Sequence, residues 1–337
     1  MSENTIPELL EKRVKDHGTR LLFQRRDGWS WKQITWLDFD REVKNIASFL
    51  MDLGFGKGDR ALLVSANTLE AISTEIAIYH LGGTVVPLSR DTGADRIKEA
   101  ARELDVKFIF LEDPGLLDHT EALLDELPGV LRAAFFVDVK TKNEKALNFR
   151  SILKFGLMKR KKLQDELKKV SDDIEAANPA ALFVAPDERL TTIEITQGDI
   201  MSALKLISSK TNGIGEEDQS FSYISSASPY SKIINYLTLY NGTRAATAES
   251  REDFYKDIPE VMPTMIFETS EGLEGLYQKS VASLGGFTPE KKLKKDLGGR
   301  VSYIFTDALP ASDIENLYRR TGATFSLVPK LTDIITD

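Results

Sequence analysis

Ala180-Ala-Leu-Phe-Val-Ala-Pro-Asp-Glu-Arg-Leu-Thr-Thr-Ile-Glu-Ile-Thr-Gln-Gly-Asp-Ile-Met-Ser202 is the stretch from which the rest of the chain can be read. The apolar run Ala180 to Val184 predicts a buried strand. Thr196-Gln-Gly-Asp199 predicts a helix start, with threonine as cap and a carboxylate three residues on. Strand, loop and helix N-terminus in succession is where an α/β protein holds phosphate, on free backbone N–H groups. The loop has the wrong residues for that task. Ala185-Pro-Asp-Glu188 contains no glycine, gives up one N–H at Pro186 and adds two carboxylates.

Outward from this stretch the chain alternates. Upstream, Ala61-Leu-Leu-Val64, Gly82-Gly-Thr-Val-Val-Pro-Leu88, Val106-Lys-Phe-Ile-Phe-Leu111 and Leu131-Arg-Ala-Ala-Phe-Phe-Val137 are strand candidates, with helical patterns between them near 69–80, 94–103 and 116–127. Downstream, strands are expected at 221–224, 243–248, 264–267, 301–306 and 324–328, and helices near 232–240, 253–261, 273–284 and 312–321, the last capped by Ser312. Continuous apolar strands separated by helices of ten or more residues describe a parallel sheet covered on both faces. Nearer the N-terminus the pattern predicts a short helix over 7–17 and a hairpin turning on Asp27-Gly28. A long helix follows, capped by Thr35, striped with Phe39, Val43, Ile46, Leu50 and Leu53, and stopped by Gly54.

A length of 337 residues favours two packed lobes. The net charge of −8 argues against nucleic acid as a partner, because no positive excess exists to displace counterions. With no cysteine, thiol chemistry and zinc–thiolate sites are excluded. His17, His80 and His119 lie near expected helix ends without metal-ligand spacing and read as C-terminal-turn or surface residues. No signal peptide and no membrane-spanning run is visible, so a cytoplasmic location is the expectation. Residues 140–169 break the alternation: eleven Lys or Arg against three Asp or Glu give 11 − 3 = +8. The cluster Met158-Lys-Arg-Lys-Lys162 beside Ile152, Leu153, Phe155 and Leu157 reads first as an exposed connector between lobes. Weak membrane-surface contact through 150–162 is the second reading.

Six pieces, in order, carry a family resemblance. They are Gly82 to Leu88, the Ala180 to Ser202 stretch, Leu237-Thr-Leu-Tyr-Asn-Gly242, Ala248-Glu-Ser250, Val261-Met-Pro-Thr-Met-Ile-Phe267 and Gly298-Gly-Arg-Val-Ser-Tyr-Ile-Phe-Thr-Asp-Ala-Leu-Pro310. Together they resemble the N-terminal domain of the adenylate-forming (AMP-binding) enzymes, most closely the long-chain fatty acyl-CoA synthetases. The resemblance implies an α/β fold of two packed lobes with mostly parallel sheets, divided near 35–177 and 1–34 plus 178–337. It also implies the family's use of ATP, Mg2+ and coenzyme A to activate and transfer a carboxylic acid.

Motif by motif, that machinery is replaced. The family's phosphate loop, Tyr-Thr-Ser-Gly-Thr-Thr-Gly followed by Pro-Lys-Gly, aligns with a loop about two residues shorter, in which Asp187, Glu188 and Arg189 stand and Thr191 and Thr192 fall at Lys-Gly. Glycines let a backbone approach phosphate, and the lysine supplies positive charge to it. The adenine-contacting Gly-Gly-Ala-Pro is here Asp307-Ala308-Leu-Pro310, with only the proline kept. The Tyr-Gly-x-Thr-Glu motif is matched only by Thr332 and, with a shorter side chain, Asp333. The family's ribose-binding aspartate, hinge and C-terminal lid with its lysine find no counterpart.

The resemblance therefore implies a non-catalytic synthetase-like binding or assembly subunit, without catalytic residues and with ATP, Mg2+ and coenzyme A binding lost. A protein partner is expected on the face that a lid would cover. Two alternatives stay open: a module that binds fatty acid or acyl-CoA without activating it, and a divergent active ligase. In the second, Asp187, Glu188, Asp307 and Asp333 would meet around a metal, although no metal site is expected from their spacing.

Overall fold

A computed structural model describes residues 3–185, 190–211, 213–223, 227–248 and 250–328, with backbone alone at 229–231. The chain opens with α1 (Ile6–His17), whose Thr5 side chain accepts from Glu8 N. The hairpin β1 (Leu21–Asp27) and β2 (Ser30–Thr35) follows. Its closing pair is Asp27–Ser30, so the two turn residues are Gly28 and Trp29, one position later than expected. Gly28 takes φ 59° at the first turn position, as a type II′ turn requires.

The alternation then runs as read: α2 (Trp36–Asp52), β3 (Arg60–Val64), α3 (Leu69–His80), β4 (Thr84–Leu88), α4 (Ala94–Glu103) and β5 (Val106–Leu111). Next come α5 (Leu117–Glu126), β6 (Arg132–Phe135), β7 (Ala146–Asn148), α6 (Phe149–Asp172), β8 (Pro179–Val184), β9 (Thr192–Thr196) and α7 (Gln197–Lys210). The remainder is β10 (Gln219–Ser222), α8 (Pro229–Asn241), β11 (Arg244–Thr247), α9 (Arg251–Val261), β12 (Met265–Phe267), α10 (Ser270–Ala282), α11 (Pro289–Asp296), β13 (Tyr303–Thr306), α12 (Ser312–Arg320) and β14 (Thr324–Leu327).

Two compact units result. The first gathers the described residues within Met1–Thr19, Trp36–Met201 and Ser225–Pro229, and the second those within Arg20–Thr35, Ser202–Ile224 and Tyr230–Asp337. Residues 178–201 belong to the first unit because β8 pairs with β4, and β9 with β8. Residues 20–35 belong to the second because β1 pairs with β11.

The first sheet runs β7-β6-β5-β3-β4-β8-β9, parallel except for β9. The second runs β14-β13-β12-β10-β11-β1-β2, parallel except for β2. Each contains the same winding: the first strand is flanked by the second on one side and the third on the other. The order therefore reverses between β3 and β5, and between β10 and β12. In the first unit Leu62, Ile109, Leu111 and Phe135 are buried against Ile97 of α4 and Leu123 and Leu124 of α5. In the second, Phe221, Ile266 and Ile304 pack against Phe254, Leu273, Leu293 and Tyr318. Each such buried side chain contributes about 1.5–3 kcal/mol.

The basic segment is not a connector. β7 extends the first sheet, and α6 lies along α2, with Phe149, Ile152, Gly156 and Leu167 buried. An added Cβ at Gly156 would fall 1.8 Å from the carbonyl oxygen of Asn45, so the two helix backbones touch there. Lys291 to Lys295 form most of α11 and bury Leu293. Ser312 opens α12 as its first residue, and the cap position is Ala311, with no side-chain bond. Among the described residues no helix is long and apolar enough to cross a membrane.

His80, expected in a C-terminal turn or at the surface, ends α3 but is buried. Its Nδ1 is hydrogen-bonded to Ser171 Oγ at 2.8 Å, and its Nε2 has no protein partner among the described residues. Burial, with a smaller contribution from the Lys44 charge, lowers its pKa from 6.5 to about 3. A depressed folded-state value means that the neutral ring's contribution to stability is complete above 6.5 and is lost as pH falls toward 3. In an NMR titration from about pH 8 to about pH 5, His80 is expected to show no protonation shift. A midpoint near 6.5 would contradict the buried geometry.

Candidate functional site

The phosphate-loop frame is built as the sequence predicts at both ends and differently between them. β8 is buried along Ala180 to Phe183. Thr196 and Asp199 close a capping box: Asp199 N donates to Thr196 Oγ1 at 3.1 Å, and Thr196 N donates to Asp199 Oδ2 at 2.8 Å. The stretch between is no continuous polar loop, because β9 returns antiparallel to β8 with Val184 opposite Thr192. Ala185 N donates to Thr191 O at 2.8 Å, which extends the ladder by one bond. Thr192 opens the returning strand and Thr191 directly precedes it, both exposed. Five residues, 186–190, join the two sides. Asp187, Glu188 and Arg189 lie outside the described residues, as do Thr332 and Asp333.

In the second unit, ligand chemistry is expected outside the carboxyl ends of the strands, where the strand order reverses. That point lies between β10 and β12, and a polar network spans it. Glu268 directly follows β12 and is 1% exposed. Its Oε1 accepts from Tyr223 Oη at 2.9 Å and from Thr269 N at 2.7 Å. Tyr223, directly after β10, accepts in turn from Arg251 Nε at 2.5 Å. Glu268 Oε2 has no partner among the described residues.

Burial raises the Glu268 carboxyl pKa above 4.5, while Tyr223, Thr269 and Arg251 pull it back. Burial, with the Glu268 charge, also raises Tyr223. Gly272 makes room for the carboxyl: a Cβ there would fall 2.0 Å from Glu268 Oε1.

Asp307 sits beside this network. Its Oδ1 accepts from Ser270 N and Ala308 N, both at 2.9 Å, and from Thr306 Oγ1 at 3.3 Å. Ser270 is the first residue of α10, whose cap Thr269 accepts from Gly272 N. Asp307 therefore occupies the anion-favouring end of a helix. Ala308 is exposed and Pro310 buried. Among the described residues no three His, Asp or Glu side chains gather as a metal site.

Glu268, Tyr223, Arg251 and Gly272 escaped the sequence reading. The available signal was a glutamate directly after an apolar strand, and it occurs twice. Glu112 follows β5 and accepts from Ala66 N at 2.7 Å and Ser65 Oγ at 3.1 Å, across the reversal point of the first sheet. Arg90 pairs with it at 3.2 Å.

Two mostly parallel sheets, each reversing its strand order between central strands, define an α/β class. The model of the AMP-binding enzyme family matches residues 10–183, more than half of the chain, and the chain belongs to that family. A long-chain-fatty-acid–CoA ligase of Mycobacterium bovis is 22% identical over 130 residues, 39% of this chain and 21% of that protein. An uncharacterized acyl–CoA ligase of Bacillus subtilis is 27% identical over 108 residues, 31% of this chain and 20% of that protein. The matched region thus spans about a fifth of these relatives' length.

Among solved structures, coronafacic acid ligase from Pectobacterium brasiliense superposes with TM-score 0.76 at 16% identity, over 96% of this chain and 60% of that one. The N-terminal domain of FACL13 from Mycobacterium tuberculosis gives 0.70 at 13% identity, over 96% and 75%. The chain has an acyl-CoA-ligase-like, adenylate-forming fold.

Proposed function

We propose that this chain is a non-catalytic acyl-CoA-synthetase-like subunit, used for binding or assembly, in which ATP, Mg2+ and coenzyme A handling is lost. One observation carries the reading: at the reversal point of the second sheet, the backbone donors that would meet an anionic ligand are taken by the chain's own carboxylates. Thr269 N is held by Glu268, and Ser270 N and Ala308 N are held by Asp307. A ligand that needed these donors would have to displace those bonds, and an anionic one would also face an added repulsion of ~1–4 kcal/mol per ionised carboxylate. The composition of the 185–192 loop points the same way, with neither glycine nor lysine to hold phosphate. A protein partner, a fatty acid or an acyl-CoA kept without activation is what such a subunit would hold.

The test is pyrophosphate release from Mg-ATP and palmitate, with and without coenzyme A. No release above background is expected, and no rise in melting temperature on adding Mg-ATP. Sustained ATP- and acid-dependent release would establish an active ligase and end the proposal.

A further inference from the structure

The face of α6 turned away from α2 has a composition that neither the fold nor the candidate site explains. At about 100° per residue, Lys154, Leu157, Met158, Lys161 and Lys162 fall within an arc of about 140° on the side opposite Gly156. Gly156 is the point of backbone contact with α2, so that arc faces outward. Leu157 is 56% exposed and Met158 69%. Lys154, Lys161 and Lys162 are exposed and have no ion pair among the described residues, whereas neighbouring Lys159 is engaged with Asp52 at 2.9 Å. Arg150, on the same side one turn earlier, pairs with Asp138 at 3.2 Å. Asp165 and Glu166, one turn on, bound the patch. All this lies in a segment of charge +8 within a chain of net charge −8.

We propose that this face adsorbs to an anionic lipid surface. Leu157 and Met158 would enter the boundary between headgroups and acyl chains, and the three free lysines would meet anionic headgroups. Two large apolar side chains ringed by unpaired lysines match a surface that is apolar below and anionic above. A nucleic acid would satisfy the lysines but leave Leu157 and Met158 in water. Each lysine near such a surface is worth about fivefold in partitioning, so three give about a hundredfold preference for anionic over neutral lipid. The attachment is peripheral and reversible, because one basic turn with two apolar side chains cannot anchor a protein permanently.

The experiment is co-sedimentation of the chain with phosphatidylcholine vesicles containing about one-third phosphatidylglycerol, against pure phosphatidylcholine vesicles. Binding to the anionic vesicles alone is expected, weakening as salt rises. The Leu157→Ser/Met158→Ser variant should lose about tenfold in partitioning, and the Lys154→Glu/Lys161→Glu/Lys162→Glu variant should lose binding altogether. All five positions are exposed, and unchanged circular dichroism and melting temperature would verify the folds. Wild-type chain left in the supernatant, binding that survives charge reversal, or binding indifferent to the serine pair overturns the proposal. So does equally tight, salt-sensitive binding to duplex DNA.

Discussion

Gly156→Ala is expected to destabilise the first unit by about 2–3 kcal/mol, a sign opposite to the usual effect of this substitution. Inside a helix, alanine is normally better than glycine by roughly 0.8–1 kcal/mol. Here the added Cβ would lie 1.8 Å from the Asn45 carbonyl oxygen and 2.6 Å from its carbonyl carbon. Both are backbone atoms of α2, so no side-chain rotation relieves the overlap. The helices must part by about 1.5 Å to reach ordinary van der Waals distance, and that loosens close packing along the whole α2–α6 seam. Phe155 stacked on Phe49, with ring centroids 6.5 Å apart, would be disturbed along with it. Gly156→Leu should cost about 4 kcal/mol or more, because the wedge is larger. Urea denaturation followed by far-UV circular dichroism reads the change as a lower midpoint. A Gly156→Ala protein as stable as wild type, or more so, would mean that α2 and α6 do not touch at this point.

That glycine also marks where the sequence stopped being legible. Apolar runs such as Val106 to Leu111 and helical stripes such as 94–103 gave their elements directly, because burial on both faces leaves an unmistakable pattern. The Thr196–Asp199 capping box was legible for another reason: its chemistry is local, confined to four residues. α6 was not. Its charge suggested a connector, while its buried side has only Phe149, Ile152, Gly156 and Leu167, too sparse a stripe to compete with eleven basic residues in the window. Only its partner helix reveals why residue 156 has no side chain. β9 was missed because its one deeply buried side chain is Ile195, so most of the strand reads as loop. Asp307 and Pro310 drew notice through the motif position they occupy. Glu268, Tyr223 and Arg251 were missed because they come from three separate segments that only the order β11-β10-β12 brings together.

The second large effect is expected at Glu268 and Gly272. Gly272→Ala alone should cost the second unit about 2–3 kcal/mol, since its Cβ would overlap Glu268 Oε1 at 2.0 Å and Cδ at 2.2 Å. Glu268→Ala alone should cost about 2 kcal/mol, because it leaves a void and strips Tyr223 Oη of its acceptor. Together they should cost less than the sum by about 1–2 kcal/mol, because removing the carboxyl makes room for the new methyl group. Strict additivity in a double-mutant cycle would show that the glycine is not there for the glutamate.

Glu268→Gln separates charge from shape. Burial raises the folded-state pKa of Glu268, so the glutamate's contribution is fully present below about 4.5 and lost as pH rises through the folded value. Glutamine keeps the acceptor for Tyr223 Oη and Thr269 N and never ionises. The variant should therefore gain on wild type as pH rises from about 5 to about 8, when stability is read from urea midpoints at each pH. Parallel pH profiles for the two proteins would refute a folded-state value raised by burial. The expected divergence would mean that burial disfavours the charged form of Glu268 at the reversal point of this sheet, beside the helix end that Asp307 occupies.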